Sequence, residues 1–179
     1  MMTTQQVPWR VPMSIGDVPE GALRVELEAD EPTCRAVAEA AGVNEIAQLK
    51  ACFDLARRGR NGLHVVGTVS ALVGQLCVVS LEPVVNQVEE AIDLVFGPDT
   101  AVETSARSLD IAIDATDPPE PLVNGVVDLG AIATEFLILG IDPYPRKPGA
   151  VFETEVTAPD PEDHPFAALK ALQEGKKGE

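Results

Sequence analysis

Leu23, Val25, Leu27 and Ala29 alternate with Arg24, Glu26, Glu28 and Asp30, a period of two that turns one row of side chains to a core and the other to water. The pattern predicts a strand over 23–29. Pro32 suits a first helical turn, Asp30 or Thr33 can cap it, and Val37, Ala38 and Ala41 share a side before Gly42, so 31–41 reads as a helix. Ala47, Leu49, Ala51, Phe53 and Leu55 alternate with Gln48, Lys50, Cys52 and Asp54, which favours a second strand although alanine is a poor strand former. The Asn61-Gly62 pair then marks a hairpin turn over 59–62.

Beyond that turn Leu63, Val65, Val69, Ala71, Val73, Cys77 and Val79 all fall on odd positions, so a third strand keeps one register over 63–79. Gly67 and Gly74 inside it predict bulges or bends that curl the sheet. Ser80-Leu81-Glu82-Pro83 reverses the chain, and Val84, Val88, Ile92, Leu94 and Phe96 on even positions give a fourth strand that completes a meander. Residues 98–107 read as a polar loop, and Leu109, Ile111 and Ile113 as a short edge strand stopped by Asp117-Pro118-Pro119.

From Asp128 the period changes. Leu129, Ile132, Ala133, Phe136, Leu137 and Leu139 recur at helical spacing, and Asp128 can cap the helix they form. Three prolines over 142–149 exclude regular structure there, and the Asp/Glu/Pro-rich stretch 153–165 has a linker's composition. Phe166, Leu169 and Leu172 then form a short amphipathic piece that either docks on its own domain or recruits a partner. The expected fold is α+β: a strongly curved, barrel-like antiparallel sheet of four to six strands, the helix from Asp128 packed against it, and a second short helix. Residues 1–150 form its single domain, followed by an acidic linker and amphipathic tail over 151–179.

Composition narrows the function. The chain has 179 residues, 45% hydrophobic and 23% charged, with 13 Lys plus Arg against 29 Asp plus Glu and a formal charge of −16. Residues 1–75 hold seven basic and nine acidic residues, a net of −2, whereas 76–179 hold six and twenty, a net of −14. No apolar run opens the chain, and the most apolar window, 122–141, is broken by Asn124, Asp128 and Glu135, so neither a secretory signal nor a membrane span is expected. A cytoplasmic setting follows. Cys34, Cys52 and Cys77, spaced 18 and 25 apart, build neither a disulfide framework nor a zinc ribbon.

Chemistry is sparse. His64 sits on a strand's polar face and His164 in the acidic stretch, Cys77 reads as a small core hydrophobe rather than a reactive thiol, and no glycine-rich phosphate loop is present. Glu89-Glu90 and the acidic run 160–163 read as solvated charge, because adjacent strand residues face opposite sides. No catalytic residue, metal or cofactor is expected. The one local cationic cluster is Arg57, Arg58 and Arg60 at the hairpin tip, to which Arg10 and Lys50 can add.

Cys77-Val78-Val79-Ser80-Leu81-Glu82-Pro83 resembles the Cys-x-x-Cys-x-Glu-Pro turn of the YceD family of large ribosomal RNA subunit accumulation proteins. The order of features is similar too: a basic hairpin, a glycine-containing strand, this turn, an acidic strand, the Val127-Asp128-Leu129-Gly130 helix start, and a closing Pro165-Phe166-Ala167-Ala168-Leu169 segment. The resemblance covers about residues 45–172, and Asp142-Pro143-Tyr144-Pro145-Arg146-Lys147-Pro148 looks like the alphaproteobacterial branch. Cys77, Glu82, Pro83, Asp128, Pro165, Phe166 and Leu169 carry it. Ser80 stands where the family has a second cysteine, so a two-cysteine metal or redox role cannot operate through that turn.

The resemblance implies a non-enzymatic part in large-subunit (23S) rRNA accumulation or processing. A chain at −16 is repelled from RNA at long range. Two contacts survive that repulsion: a local one in which Arg57, Arg58 and Arg60, with Arg10 and Lys50, touch a few phosphates, and an acidic surface that holds a basic ribosomal protein. Neither a membrane nor DNA is an expected partner. The alternatives are a small-molecule pocket inside a curled sheet and an acidic adaptor with no RNA contact.

Overall fold

The computed structural model describes residues 7–59, 61–97 and 119–152. Its centre is a long meander, β3 (Glu45–Arg58), β4 (Gly62–Leu76) and β5 (Pro83–Gly97), flanked by β2 (Leu23–Glu28) beside β3 and by β6 (Glu120–Pro121), which runs parallel to β5. The other pairs are antiparallel. A separate two-stranded ribbon joins β1 (Pro12–Ser14) to β7 (Val126–Asp128). Two helices complete the fold, α1 (Glu31–Ala41) and α2 (Leu129–Gly140).

Period-two patterning gives the sheet one dry face. Leu49, Phe53 and Leu55 of β3 and Leu63, Val65, Val69 and Val73 of β4 are fully buried, joined by Val88 and Ile92 of β5. Helix α1 lays Cys34, Val37 and Ala38 on β3, and α2 lays Leu129, Ile132, Ala133 and Leu137 on β4 and β5, making one continuous core. Asp30 caps α1 by accepting from the Thr33 N–H at 3.0 Å, with Pro32 in the first turn, as its sequence requires.

Both helices and the strands over 23–29, 47–55 and 84–96 fall where periodicity put them. The barrel-like curl does not. The sheet ends at β2 on one side and β6 on the other, and these edges do not pair. Two helices on one face supply the burial that closure would have provided, so an open sheet suffices. Nor do Gly67 and Gly74 break β4, whose register with β5 runs unshifted from Leu63–Phe96 to Leu76–Pro83. A Cβ at Gly67 would collide first with the Cys52 carbonyl oxygen of the neighbouring strand and would lie 2.7 Å from Phe53 Cδ1; the glycine makes room for both that backbone and that ring. The irregularity lies in β3, between Ile46 and Gln48, and it buries Ile46 while leaving Ala47 exposed. Strand β4 also stops at Leu76, short of Val79. The loop read over 98–107 and the edge strand at 109–113 lie outside the described residues.

The opposite face of the sheet is uncovered among the described residues. Glu26, Glu28, Lys50, Thr68, Ser70 and Glu89 line a shallow open depression there, about 450 Å³ in volume. Among the described residues no helix is long and apolar enough to cross a membrane.

Candidate functional site

The turn that carries the resemblance is built around a sulfur atom. β4 ends at Leu76, and the chain folds back so that Cys77 N–H donates to the Glu82 carbonyl and Leu81 N–H to the Cys77 carbonyl, each at 2.9 Å. Pro83 then opens β5. The proline-rich stretch after α2, irregular as its composition requires, is fastened onto this turn. Val78 N–H donates to the Pro145 carbonyl at 2.9 Å, Gln75 Nε2 to the Asp142 carbonyl at 2.9 Å, and Lys147 Nζ to Glu82 Oε2 at 2.9 Å. Leu81, 72% exposed, sits at φ 58, a left-handed conformation that costs a residue with a Cβ roughly 1–2 kcal/mol. With Leu76, Val78 and Tyr144 also exposed, the turn ends in an apolar rim.

Cys77 is fully buried, yet it is more than the small hydrophobe its sequence setting suggests. Its Sγ accepts the N–H of Lys147 at 3.3 Å and that of Ser80 at 3.4 Å. These donors, Lys147 first, pull the thiol from 9.0 down to about 6, outweighing the burial that pushes the other way. The Ser80 N–H is thus the second backbone donor that favours the ionised form of this sulfur. Glu82 is likewise held below the usual carboxylate range, first by its hydrogen bond from Lys147 and then by that residue's charge.

A thiol depressed in the fold has a definite effect on stability. Between about pH 6 and pH 9 the unfolded chain retains a proton that the folded chain has released, so this group stabilises increasingly as pH rises through that window. Below it both states are protonated and the contribution is lost. Urea midpoints of the native chain should therefore climb from pH 6 to pH 9 relative to those of Cys77→Ala. Parallel pH profiles for the two proteins would rule out a thiolate in the turn.

The five cationic candidates do not form one patch of free charge. Arg57 Nε donates to the Val18 carbonyl and its Nη2 to the Gly16 carbonyl at 3.0 Å, so it braces the 15–18 turn against the hairpin. Arg10 Nε lies 3.5 Å from Asp128 Oδ2, and Lys50 pairs with Glu28 at 3.3 Å on the open sheet face. Arg58 is exposed and makes no ion pair among the described residues. Arg60, Pro165, Phe166 and Leu169 lie outside the described residues.

Asp128 acts as a clamp. Its Oδ1 accepts the Ala131 N–H at 3.2 Å, capping α2, and the Val11 N–H at 2.8 Å, holding the N-terminal strand, while Leu129 N–H donates to the Val11 carbonyl at 3.0 Å. Sequence reasoning found the cap but not β1, whose three residues are too few for a period, nor Lys147, whose partners are 65 and 70 positions away.

No catalytic grouping emerges among the described residues. Among these same described residues no set of three His, Cys, Asp or Glu side chains could hold a metal. His64 Nε2 meets Asp93 Oδ1 at 2.7 Å on the open face, with Asp93 well exposed. Among the described residues the core is apolar, with only Gln75 and Thr134 as buried polar residues, so the covered side of the sheet has the packing of a scaffold, not of a polar-lined ligand cavity.

Comparison with known families matches residues 65–173 to the family described as Large ribosomal RNA subunit accumulation protein YceD. No curated protein and no solved structure matches the chain. The matched span runs from β4 through the Cys77 turn, β5 and α2, and so contains the sulfur-centred turn and the Asp128 clamp.

Proposed function

The chain belongs to the YceD family, and from that premise we propose that it is a non-enzymatic ribosome biogenesis factor, acting in the cytoplasm to support accumulation or processing of 23S rRNA by binding rRNA, a basic ribosomal protein, or both. Membership of a family named for large-subunit RNA accumulation carries the reading. Residues 1–150 act as its single domain and 151–179 as a tail.

Charge divides the work. The open sheet face carries Glu26, Glu28, Asp54, Glu89 and Asp93 against Arg24 and Lys50, which suits a basic protein rather than phosphates. RNA contact falls to the hairpin tip, where Arg58 is not engaged in an ion pair among the described residues and Arg60 follows it. An acidic adaptor with no RNA contact is the second reading, favoured by the internal partners of Arg57, Arg10 and Lys50.

Purification of the tagged chain from growing cells, with and without nuclease, separates the two. Arg58→Glu with Arg60→Glu leaves the Arg57 brace intact and should reduce crosslinking to 23S rRNA by about tenfold or more, since removing a single arginine–phosphate pair at physiological salt weakens binding roughly fivefold. Unchanged crosslinking would exclude the tip as the RNA contact. Association with ribosomal protein that survives nuclease would favour the adaptor, and normal large-subunit levels after deletion would sink both readings.

A further inference from the structure

Helix α2 is apolar on more than the face it buries. Its twelve residues, LGAIATEFLILG, include one charged side chain, Glu135. Leu129, Ile132, Ala133 and Leu137 face the sheet, yet Ile138 on the far side is 38% exposed and Leu139, at the edge between the two sides near the helix end, is 76% exposed. A helix apolar all round is one covered on two sides. That second side borders a groove of about 430 Å³ lined by Val7, Pro8, Ala40, Ala131, Ile138 and Leu139. Its floor is apolar too, because the Thr134 hydroxyl is spent on the Gly130 carbonyl at 2.8 Å. Glu135 stands at the rim.

We infer that this groove seats the chain's own segment 165–172 as a short helix, with Phe166, Leu169 and Leu172 against Ala131, Ile138 and Leu139. Three observations point to this occupant. The segment's apolar residues recur every three positions, the spacing by which a helix anchors in an apolar groove. Lys170 lies beside that stripe and is opposite in charge to Glu135. The family match ends at residue 173, just past this segment, so α2 and the segment fall within one matched span.

The tether permits it. From Phe152, where the described residues end, to Pro165 are thirteen residues, which extend to roughly 43–47 Å. A domain of this size has a radius of gyration of about 14 Å, so the segment reaches the groove. A tether of this length supplies an effective concentration of about 1 mM, so even a contact with a dissociation constant near 0.1 mM would keep the groove about tenfold more occupied than empty.

The test is maleimide labelling of Leu139→Cys in the full chain, located by peptide mass so that the native cysteines do not interfere. The rate should rise about tenfold when Phe166→Asp is added, with circular dichroism unchanged, and should not depend on protein concentration. Ile138→Cys serves as an independent reporter. Fast labelling without Phe166→Asp would show the groove open and overturn the inference. Protection that persists with Phe166→Asp would assign it to another occupant, and protection lost on dilution to a second copy of the chain; either result also overturns it. None of these outcomes bears on the ribosomal reading, which has its own readouts.

Discussion

Phe53→Ala is expected to cost about 3–5 kcal/mol, in the range found when a buried aromatic is cut to alanine. Phe53 is fully buried on the covered face of β3, with its ring beside Gly67 of β4, and it shares a core with residues from both helices. Gly67 has no side chain with which to fill the space vacated by the ring. Against a total of about 5–15 kcal/mol for an ordinary domain, the loss should lower the melting temperature by roughly 6–20 °C. Cys52, the preceding residue, points to the open face and is half-buried; Cys52→Ala should stay within about 0.5 kcal/mol. Thermal melts of the two variants compare the faces directly. Equal, small effects would mean that the packed side of the sheet has been misassigned.

The contrast between neighbouring residues explains why the sheet was legible in the sequence. Odd and even positions over 63–76 have opposite solvent environments, and a strand with one dry face writes that difference into its residues. The helices were legible through their caps, Asp30 and Asp128, and through the change of period at residue 128. What periodicity does not encode is whether a sheet closes. Gly67 looks the same in a sequence whether it marks a bend or a cradle for an aromatic ring, and only the register with Phe53 decides between them. The candidate site was harder to read. The Cys77 turn showed as a motif, but the N–H groups that hold its sulfur are backbone donors, one of them from Lys147 in a stretch whose prolines signalled only irregularity. Arg57, read as part of a cationic cluster, turns out to brace residues 16 and 18, partners too far along the chain for local pattern to reveal.

Gly130→Ala sets two physical expectations against each other. By helix propensity alone, alanine in place of glycine within α2 would stabilise by about 1 kcal/mol. A Cβ at residue 130, however, would lie 2.7 Å from the Trp9 carbonyl oxygen and 3.1 Å from Val11 N. These are backbone atoms held in place by the Asp128–Val11 and Leu129–Val11 hydrogen bonds, so no rotamer change can relieve the clash. The expected result is destabilisation by about 1–3 kcal/mol or more, as for overpacking of a tight site, with the cost falling on the junction between residues 9–11 and the first turn of α2. Trp9 is the chain's only tryptophan and is 7% exposed, so its fluorescence reports on that junction. In native buffer the variant's emission should shift to the red and become accessible to quencher while the far-ultraviolet spectrum stays nearly intact, because β1 pairs with β7 and takes no part in the hydrogen-bonded ladder of the five-stranded sheet. A more stable variant with unshifted tryptophan emission would mean that residues 9–11 are not clamped to α2, and that the Val-Asp-Leu-Gly motif keeps its glycine for some other reason.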